Sequence, residues 1–575
     1  MADLLSLYSG MRFPDEGGYG AAREAALQAA HAVDVEATSL VGYRSAGYLV
    51  VIGSELDALE CADILRPHLH CTVIITASHG GTLSEEAQQA RDDTARVLVL
   101  RGEPGTISGH LGRFSVGLRT AQGEELMPAE YTRHDHPYFD LVLDLRREPG
   151  VRVEVPPFGY YAPAGDGERL ARMLEEIPEM TGEFEKPRFY NYNPDICAHG
   201  DRGLTGCTRC LDACPTGAIS SLGDTVEVDP YLCQGAGTCA SVCPTGAMIY
   251  AYPGPKDQIA RLKAMLGAFR EAGGEAPMVV FHDEEAGVER LERLAGDMPA
   301  RALPVRVAEI GAVGMDVWLS ALAYGAAEVV LLDTDAVPVT VRRAMQAQLS
   351  YTRPLLEAMG YDPGSLVWLG ADDGAPPPGP EAATARTVPP AGFDTFNEKR
   401  GTLRLALDHL FEHGARQPAE TSLPRGAPFG QVLVNEDTCT LCMACPQVCP
   451  TRALTDAGDK PQLNFTEDLC VQCGLCQTAC PEDAIRLQPR FLFDWEERRR
   501  TRVLNEEEPF RCISCGKPFA TPSVIDRMTE RLGDHHMFQS EDALRRLKMC
   551  GDCRVVDMFK DDVEAGSKPK WYGPQ

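Results

Sequence analysis

The sequence is short of positive charge, and this shortage disfavours one broad class of function. It has 55 Lys and Arg residues against 84 Asp and Glu residues, for a net charge of −29 over 575 residues. Nonspecific nucleic-acid binding requires a basic face that displaces counterions from phosphates, so we expect no nucleic-acid partner. The acidic balance instead favours partners with basic surfaces.

Long apolar runs and a basic leader are also missing. The longest apolar run, 317–327, is interrupted by Ser320 and Tyr324 and is much shorter than the roughly 20 residues of a membrane span. Met1–Leu5 contains no basic residue that would begin a secretory signal. We therefore expect a soluble, cytoplasmic protein with no membrane span. In that reducing compartment, 21 cysteines point to metal ligation rather than to disulfides.

Cysteine is scarce in the first third of the chain and concentrated afterwards. Residues 1–185 contain only Cys61, on a predicted helix, and Cys71, on a predicted strand, and we expect both to be inert core residues. The other 19 follow Tyr190 in three groups. These groups, with the apolar patterning between them, predict a mixed α/β and α+β multidomain chain with two dicluster ferredoxin-type modules between α/β domains and a C-terminal zinc-knuckle domain.

The predicted boundaries follow the cysteine groups. Apolar runs such as 48–53, 278–281 and 329–332 predict the strands of the two α/β regions. The Pro-rich stretch 371–392 predicts an interdomain linker, because it cannot bury enough apolar surface to fold. The predicted regions are an α/β domain at 1–185, a first module at 186–255, a second α/β domain at 256–370, a linker with a short helix at 371–429, a second module at 430–490 and a four-cysteine zinc domain at 491–575.

The second cysteine group has the most specific spacing. Each of its two runs, Cys439–Cys449 and Cys470–Cys480, follows the C-x2-C-x2-C-x3-C-P pattern of bacterial dicluster ferredoxins. In that pattern the fourth cysteine ligates the other cluster, and two structural zinc sites are the weaker alternative. Numbering the sites along the chain, we assign site 3 to Cys439, Cys442, Cys445 and Cys480, and site 4 to Cys449, Cys470, Cys473 and Cys476.

The first group repeats this pattern with two departures. Leu204 stands where the first cysteine is expected, and Cys197 substitutes for it from upstream. Ala236 stands at the second ligand position of the second run. The crossing rule then predicts site 1 at Cys197, Cys207, Cys210 and Cys243, and site 2 at Cys214, Cys233 and Cys239 alone.

Three thiolates leave the cluster at site 2 open to interpretation. We favour a [3Fe-4S] cluster, because alanine offers no ligand atom. A [4Fe-4S] cluster with an exogenous ligand, or an empty lobe, are the alternatives. His199 is close enough in sequence to Cys197 to be an alternative ligand, although we expect a surface-loop histidine.

The third group consists of two Cys-x2-Cys pairs. Cys512 and Cys515 are followed 34 residues later by Cys550 and Cys553, and two such knuckles present four sulfurs in the tetrahedral arrangement that suits structural zinc. Mononuclear iron is the alternative. We expect His535 and His536 to lie in the connecting loop and not to bind the metal.

The α/β regions give weaker signals. The turns after Gly53 and at 78–81 follow predicted strands, where a helix N-terminus can bind phosphate. Neither matches G-x-G-x-x-G, so a nucleotide or flavin site at 48–145 is only an alternative. Residues 278–332 resemble the iron-sulfur delta subunit of hydrogenase–heterodisulfide reductase systems, but they contain no cysteine. That resemblance implies a scaffold that has lost its cluster and keeps a docking or spacing role.

Three stretches carry a resemblance over most of residues 180–560. They run from Cys197 to Pro215, from Glu436 to Cys445 and from Phe510 to Phe519. Together they resemble a family of bacterial multi-cluster 4Fe-4S proteins often encoded beside molybdenum formate dehydrogenase genes. The resemblance implies electron transfer connected to formate oxidation or CO2 reduction, with a formate dehydrogenase as a candidate redox partner.

These observations predict a soluble electron carrier that relays single electrons through about four clusters, rather than a stand-alone enzyme. The expected cofactors are three [4Fe-4S] clusters, one [3Fe-4S] or incompletely ligated [4Fe-4S] cluster, and one zinc ion. A maturation factor for a molybdenum enzyme and a flavin-dependent oxidoreductase subunit are the alternatives. Thiolates and sulfides make the loaded protein more negative still, so basic docking faces are expected on its redox partners.

Overall fold

A computed structural model describes most of the chain. The described residues are 7–8, 10–76, 97–119, 123, 125–132, 137–200, 204, 206–223, 225–374, 387–395, 398–458 and 460–564. The helices are Tyr19–His31, Glu55–Leu65, Gly167–Glu176, Arg209–Asp212, Thr238–Ser241, Pro255–Glu271, Ala286–Leu294, Met315–Ala323, Val339–Met359, Lys399–Glu412, Ala444–Gln447, Leu475–Ala479, Trp495–Arg499, Pro522–Gly533, Glu541–Leu547 and Gly551–Glu564.

The N-terminal α/β region is built on a parallel five-stranded sheet. Its central strands, Tyr48–Gly53 and Leu141–Asp144, are buried on both faces, as is typical of parallel sheets, and helix Glu55–Leu65 makes the crossover from Tyr48–Gly53 to His70–Ile75. A small antiparallel sheet of Glu103–Ser108, Ser115–Arg119 and Glu125–Leu126 and the antiparallel pair Leu40–Ser45 with Gly182–Pro187 complete the region. The strand order of the parallel sheet is Leu98–Arg101, His70–Ile75, Tyr48–Gly53, Leu141–Asp144, Tyr160–Tyr161.

The central region is a second parallel sheet and contains the largest apolar core. Apolar side chains of its helices, among them the fully buried Trp318 and Phe269, cover the sheet. The observed strands agree in place with those predicted at 278–281 and 329–332. The strand order is Ala302–Arg306, Met278–His282, Glu328–Leu332, Leu366–Leu369.

Helix Tyr19–His31 packs on this central core and not on the N-terminal sheet. Its alanine face, which includes Ala22 and Ala26, is buried against helix Pro255–Glu271. Arg23 strengthens the contact, since its Nε donates to the carbonyl oxygen of Ala302 at 2.9 Å. The region predicted at 1–185 therefore contributes its first helix to the domain predicted at 256–370.

The stretch predicted as a linker is packed at its C-terminal end. Val388 and Ala391 are only 6% and 4% exposed, and the Ala391 amide donates to the Ala323 carbonyl oxygen at 2.9 Å. The Tyr324 hydroxyl donates to the carbonyl oxygen of Phe393 at 3.0 Å. This end of the predicted linker therefore packs on the central core, because its few apolar side chains are buried there. Residues 375–386 lie outside the described residues.

The two modules follow one plan in which short helices and antiparallel pairs frame the cysteine loops. Helix Lys399–Glu412 connects the central core to both modules. Among the described residues, the C-terminal region adds a short sheet and four helices beyond the second module. The strand pairs are Tyr190–Tyr192 with Met248–Tyr250, Ile219–Ser221 with Val226–Val228, Leu454–Asp456 with Gln462–Phe465 and then Arg502–Glu506, Ile485–Leu492 with Gly430–Val434 and Glu420–Ser422, and Phe510–Arg511 with Pro518–Ala520.

The central region meets the first module at a contact that leaves no room for a side chain. A methyl group on Gly311 would collide with the carbonyl oxygen of Ala236, and one on Gly237 would collide with the backbone of Ala312. Gly237 also has a φ of 75°, in the region that favours glycine. The two loops therefore fit together only because both glycines lack Cβ.

We predict that Gly311→Ala destabilises the protein by about 1–3 kcal/mol, because overpacking forces the two loops apart. Gly267→Ala is the matched control: Gly267 lies in helix Pro255–Glu271 with open space around it, so alanine should stabilise by about 0.5–1 kcal/mol. Urea denaturation followed by tryptophan fluorescence measures both changes. An unchanged midpoint for Gly311→Ala would contradict the tight contact.

Candidate iron-sulfur sites and the C-terminal metal site

The eight cysteines of the second module surround two separate cavities. One cavity is lined by Cys439, Cys442, Cys445 and Cys480, the four residues predicted for site 3. The other is lined by Cys449, Cys470, Cys473 and Cys476, the four residues predicted for site 4. The fourth cysteine of each run thus crosses to the cavity of the other run.

The cysteine loops owe their shape to residues in the left-handed region. Leu441 and Met443 flank Cys442 with φ of 52° and 60°, and Gln472 and Gly474 flank Cys473 with φ of 54° and 87°. Such turns wrap the chain around one point and aim backbone amides inward, as a nest does around an anion. The backbone conformation of these loops therefore suits thiolate ligands by itself, apart from any side-chain packing.

The four cysteines predicted for site 1 also lie together. Burial, together with the neighbouring thiols of Cys243, Cys207 and Cys197, raises the pKa of Cys210 to about 12. Cys197 is brought in by the loop from the upstream strand, and the Cys207 amide donates to the Ala198 carbonyl oxygen at 2.9 Å. The structure thus brings Cys197 to the position left open by Leu204.

The three cysteines predicted for site 2 form a smaller group. Burial raises the pKa of Cys239 well above its ordinary value, and the thiols of Cys233 and Cys214 add to that effect. Gly235 and Gly237 flank Ala236 with φ of 84° and 75°, so the loop keeps the shape of the complete loops. Alanine therefore occupies the position of a ligand in an otherwise intact loop.

His199 is not on the surface, and the expectation of a surface-loop histidine is wrong. It is 1% exposed, its Nδ1 lies 2.8 Å from the carbonyl oxygen of Cys207, and its Nε2 lies 2.7 Å from the hydroxyl oxygen of Ser221. Both ring nitrogens thus have hydrogen-bond partners. The ring fixes the long loop between Cys197 and Cys207, which the chain spacing alone could not indicate.

Hydroxyl groups near the sulfurs are a feature that the sequence analysis missed. The Cys-Pro pairs that end the first three cysteine runs, at Cys214, Cys243 and Cys449, are each followed by threonine. The Oγ1 atoms of Thr216 and Thr245 lie 3.3 Å and 3.6 Å from the sulfurs of Cys214 and Cys243. Backbone donors also point at sulfur, as the Ala484 amide does at Cys480, 3.3 Å away. Hydrogen bonds of this kind stabilise anionic sulfur and raise cluster potentials, and the recurring Cys-Pro-Thr triplet was the available signal.

The C-terminal group forms a compact four-sulfur site. The sulfurs of Cys512, Cys515, Cys550 and Cys553 lie within 4.8 Å of one another, and those of Cys515 and Cys550 are 3.8 Å apart. Burial opposes ionisation of Cys512, but amides of Cys550, Cys515 and Ser514 outweigh it and lower its pKa to about 6. Tetrahedral thiolate sites with metal–sulfur bonds of about 2.3 Å have this compactness. His535 and His536 do not belong to the group.

The C-terminal region rests on the second module beside site 3. The hydroxyl of Thr521, the cap of helix Pro522–Gly533, donates to the Thr440 carbonyl oxygen at 2.9 Å. Glu482, two residues after Cys480, accepts from Arg527 at 2.9 Å and from Arg531 at 3.0 Å. The region that contains the four-sulfur site therefore covers one edge of site 3.

The phosphate-binding turn considered after Gly53 is occupied by the chain itself. Ser54 caps helix Glu55–Leu65 by accepting from the Asp57 amide at 3.3 Å, and its hydroxyl donates to the Asp57 carboxylate at 2.6 Å. Glu55 adds a second carboxylate in the first turn. Negative charge thus already stands where a phosphate would bind. The second turn considered, at 78–81, lies outside the described residues.

Comparison with known families identifies both modules. Residues 177–247 match the 4Fe-4S dicluster domain, and residues 432–455 and 463–486 each match the 4Fe-4S binding domain. No curated protein matches the chain. The matched domains establish ferredoxin-type iron-sulfur regions within a mixed α/β multidomain chain, and they support an iron-sulfur electron-transfer role with redox partners.

Within the part of the chain that the structure describes, helices do not reach the combined length and apolarity needed to cross a bilayer.

Proposed function

We propose that the chain is an electron carrier that relays single electrons through four iron-sulfur clusters. The observation that carries this proposal is the division of the eight cysteines at 439–480 between two cavities, four to each. The donor set is thiol alone, with amides directed at sulfur, which suits iron-sulfur clusters. Clusters bound there would supply one-electron chemistry at low potential, while the residues of this chain would hold them, bury them and set their potentials.

We assign [4Fe-4S] clusters to sites 1, 3 and 4, each of which has four cysteines. For site 2 we propose a [3Fe-4S] cluster. Ala236 offers no ligand atom, and its loop is closed against Gly311 of the central region. That close packing disfavours the alternative, an exogenous ligand at site 2, because it would restrict access to the loop at Ala236.

The fourth ligand position can be tested with Ala236→Cys. We predict that iron rises from about 15 to about 16 atoms per chain and that the isotropic electron paramagnetic resonance (EPR) signal of an oxidised [3Fe-4S] cluster disappears. Metal analysis and EPR of the oxidised protein give both values. Leu204→Cys is the matched control, since site 1 already has four cysteines and its iron should not change. Wild-type protein fully loaded with iron but lacking the isotropic signal would contradict the assignment.

For the C-terminal four-sulfur site we propose structural zinc. A closed site of four thiolates leaves no open coordination position, so its role is to hold the domain beside site 3 rather than to carry electrons. Mononuclear iron is the alternative ion for the same ligands.

We predict that Cys515→Ser removes about one zinc ion per chain and leaves the iron content unchanged, because the two kinds of site share no ligand. Metal analysis of the purified protein measures both. Cys71→Ser is the control: Cys71 lies on a strand of the N-terminal sheet and far from the ligand groups in sequence, so neither metal should change. Zinc retained at wild-type level, or iron lost in its place, would contradict the proposal.

We propose a formate-dehydrogenase-type oxidoreductase as the redox partner, supported by the three stretches of resemblance and by the acidic charge of −29. The central region would serve for docking or spacing, since it is a folded α/β region and the sequence has no cysteine between Cys243 and Cys439. We place the protein in the cytoplasm, where reducing conditions preserve ligand thiols.

The carrier role predicts reduction of the loaded protein by formate and a formate dehydrogenase, with loss of its visible iron-sulfur absorption. The rate should fall as ionic strength rises, because docking between opposite charges is screened by salt. Dithionite is the control reductant. If dithionite reduces the protein but formate with its dehydrogenase does not, the proposed partner is wrong. If neither reductant reduces protein that is fully loaded with iron, the carrier role is wrong. Stable binding to the apo-dehydrogenase without turnover would favour a maturation factor.

A further inference from the structure

The two modules meet at the start of helix Lys399–Glu412. The Lys399 ammonium donates to the carbonyl oxygens of Ala240, at 2.8 Å, and Ser241, in the helical turn that leads to Cys243 of site 1. Gly246, three residues after Cys243, lies against the Lys399 side chain, because a methyl group there would come within 3.3 Å of the lysine Cβ. Lys399 is thus seated on the loop that supplies one ligand of site 1.

Arg400 contacts the second module as well as the first. Its guanidinium donates to the carbonyl oxygens of Asp468 at 3.0 Å and Cys470 at 3.2 Å, and Cys470 is a ligand of site 4. The same group lies 3.5 Å from the carbonyl oxygen of Pro244, the residue after Cys243. Arg400 is only 8% exposed, so it bridges the two modules from inside the protein.

Few carboxylates lie near these two side chains: Asp316 is near Lys399, and Asp468 is near Arg400. The hydrogen bonds described for both side chains go to backbone carbonyl oxygens. The carboxylate of Asp468 already pairs with Arg404 and Arg498, at 3.1 Å and 2.9 Å. The buried Arg400 and the half-buried Lys399 are therefore cations beside thiol ligands that can interact with the negative charge of clusters at sites 1 and 4.

The packing of the ligand loops gives the order of the sites. Arg400 joins the carbonyl oxygen of Pro244, next to a ligand of site 1, to that of Cys470, a ligand of site 4. Within the first module the helical turn with Cys210 of site 1 packs against the turn with Cys239 of site 2, and within the second the turn with Cys445 of site 3 packs against the turn with Cys476 of site 4. The neighbouring pairs of sites are thus 2 and 1, 1 and 4, and 4 and 3.

We propose that both modules form one continuous electron path in the order site 2, site 1, site 4, site 3, and that Lys399 and Arg400 are positioning residues that align and electrostatically tune its central step. This inference rests on the proposed carrier function. In that step one electron leaves one of sites 1 and 4 as the other gains it, in either direction and without a proton. A buried cation favours the reduced cluster, which is more negative by one charge, and so raises its potential.

The test is an EPR-monitored redox titration of the full, loaded chain. Lys399→Gln should lower the reduction potential of the cluster at site 1, and Arg400→Gln should lower those of the clusters at sites 1 and 4. Each potential should fall by at least about 59 mV, which is a tenfold change in the ratio of reduced to oxidised cluster at a fixed solution potential. Lys399→Arg keeps the charge and should restore the wild-type potential. A merely structural role would not predict this dependence on charge.

Lys263→Gln is the matched control, because the Lys263 ammonium also binds two backbone carbonyl oxygens, those of Gly392 and Phe393, and its helix lies in the central region. Its potentials should equal those of wild type. In fully reduced protein, magnetic coupling should join all four clusters. Unchanged potentials in Lys399→Gln with full iron content, or two independent coupled pairs, would overturn the inference. If the potentials are unchanged but the clusters still accept electrons, the proposed carrier function remains and only this inference is wrong. If the clusters accept no electron, both are wrong. If Arg400→Gln fails to load iron, the test rests on Lys399→Gln.

Discussion

Burial of many thiols at close range is the constraint on which the rest of this structure depends. A buried thiolate loses its hydration, and several buried thiolates also repel one another, so each raises the pKa of its neighbours. Burial raises the pKa of both Cys239 and Cys476, and neighbouring thiols raise it further. Such groups are stable as ligands only if a metal centre and directed amides compensate their charge, which makes folding of the modules and cluster binding interdependent.

The same constraint explains why so much of the structure around the cysteines is backbone. The left-handed residues beside Cys442 and Cys473 recur beside Ala236, where there is no sulfur to hold. The loop shape therefore follows from its glycines and from the surrounding packing, and the substitution of alanine removes a ligand without removing the fold. The contact between Gly311 and Ala236 then gives this altered lobe its own partner in the central region.

How far the sequence could predict the molecule depended on the range of the interactions. The ligand groups of the second module were predictable because the spacing of a ferredoxin run is a local rule. The role of His199 was not, because its partner Ser221 comes from a strand 22 residues away. The place of helix Tyr19–His31 was not predictable for the same reason: its small alanine face fits several surfaces, and only tertiary packing selects helix Pro255–Glu271.

The contacts of the central region explain its role better than its fold does. It contains no cysteine, yet its core supports helix Lys399–Glu412, whose first two residues lie between the modules. Electron transfer between clusters is sensitive to their separation and orientation, so two modules joined only by a flexible linker would exchange electrons unevenly. A rigid core that fixes Lys399 and Arg400 removes that freedom. A domain without redox groups can thus determine how well its neighbours conduct, which fits the docking or spacing role proposed for it.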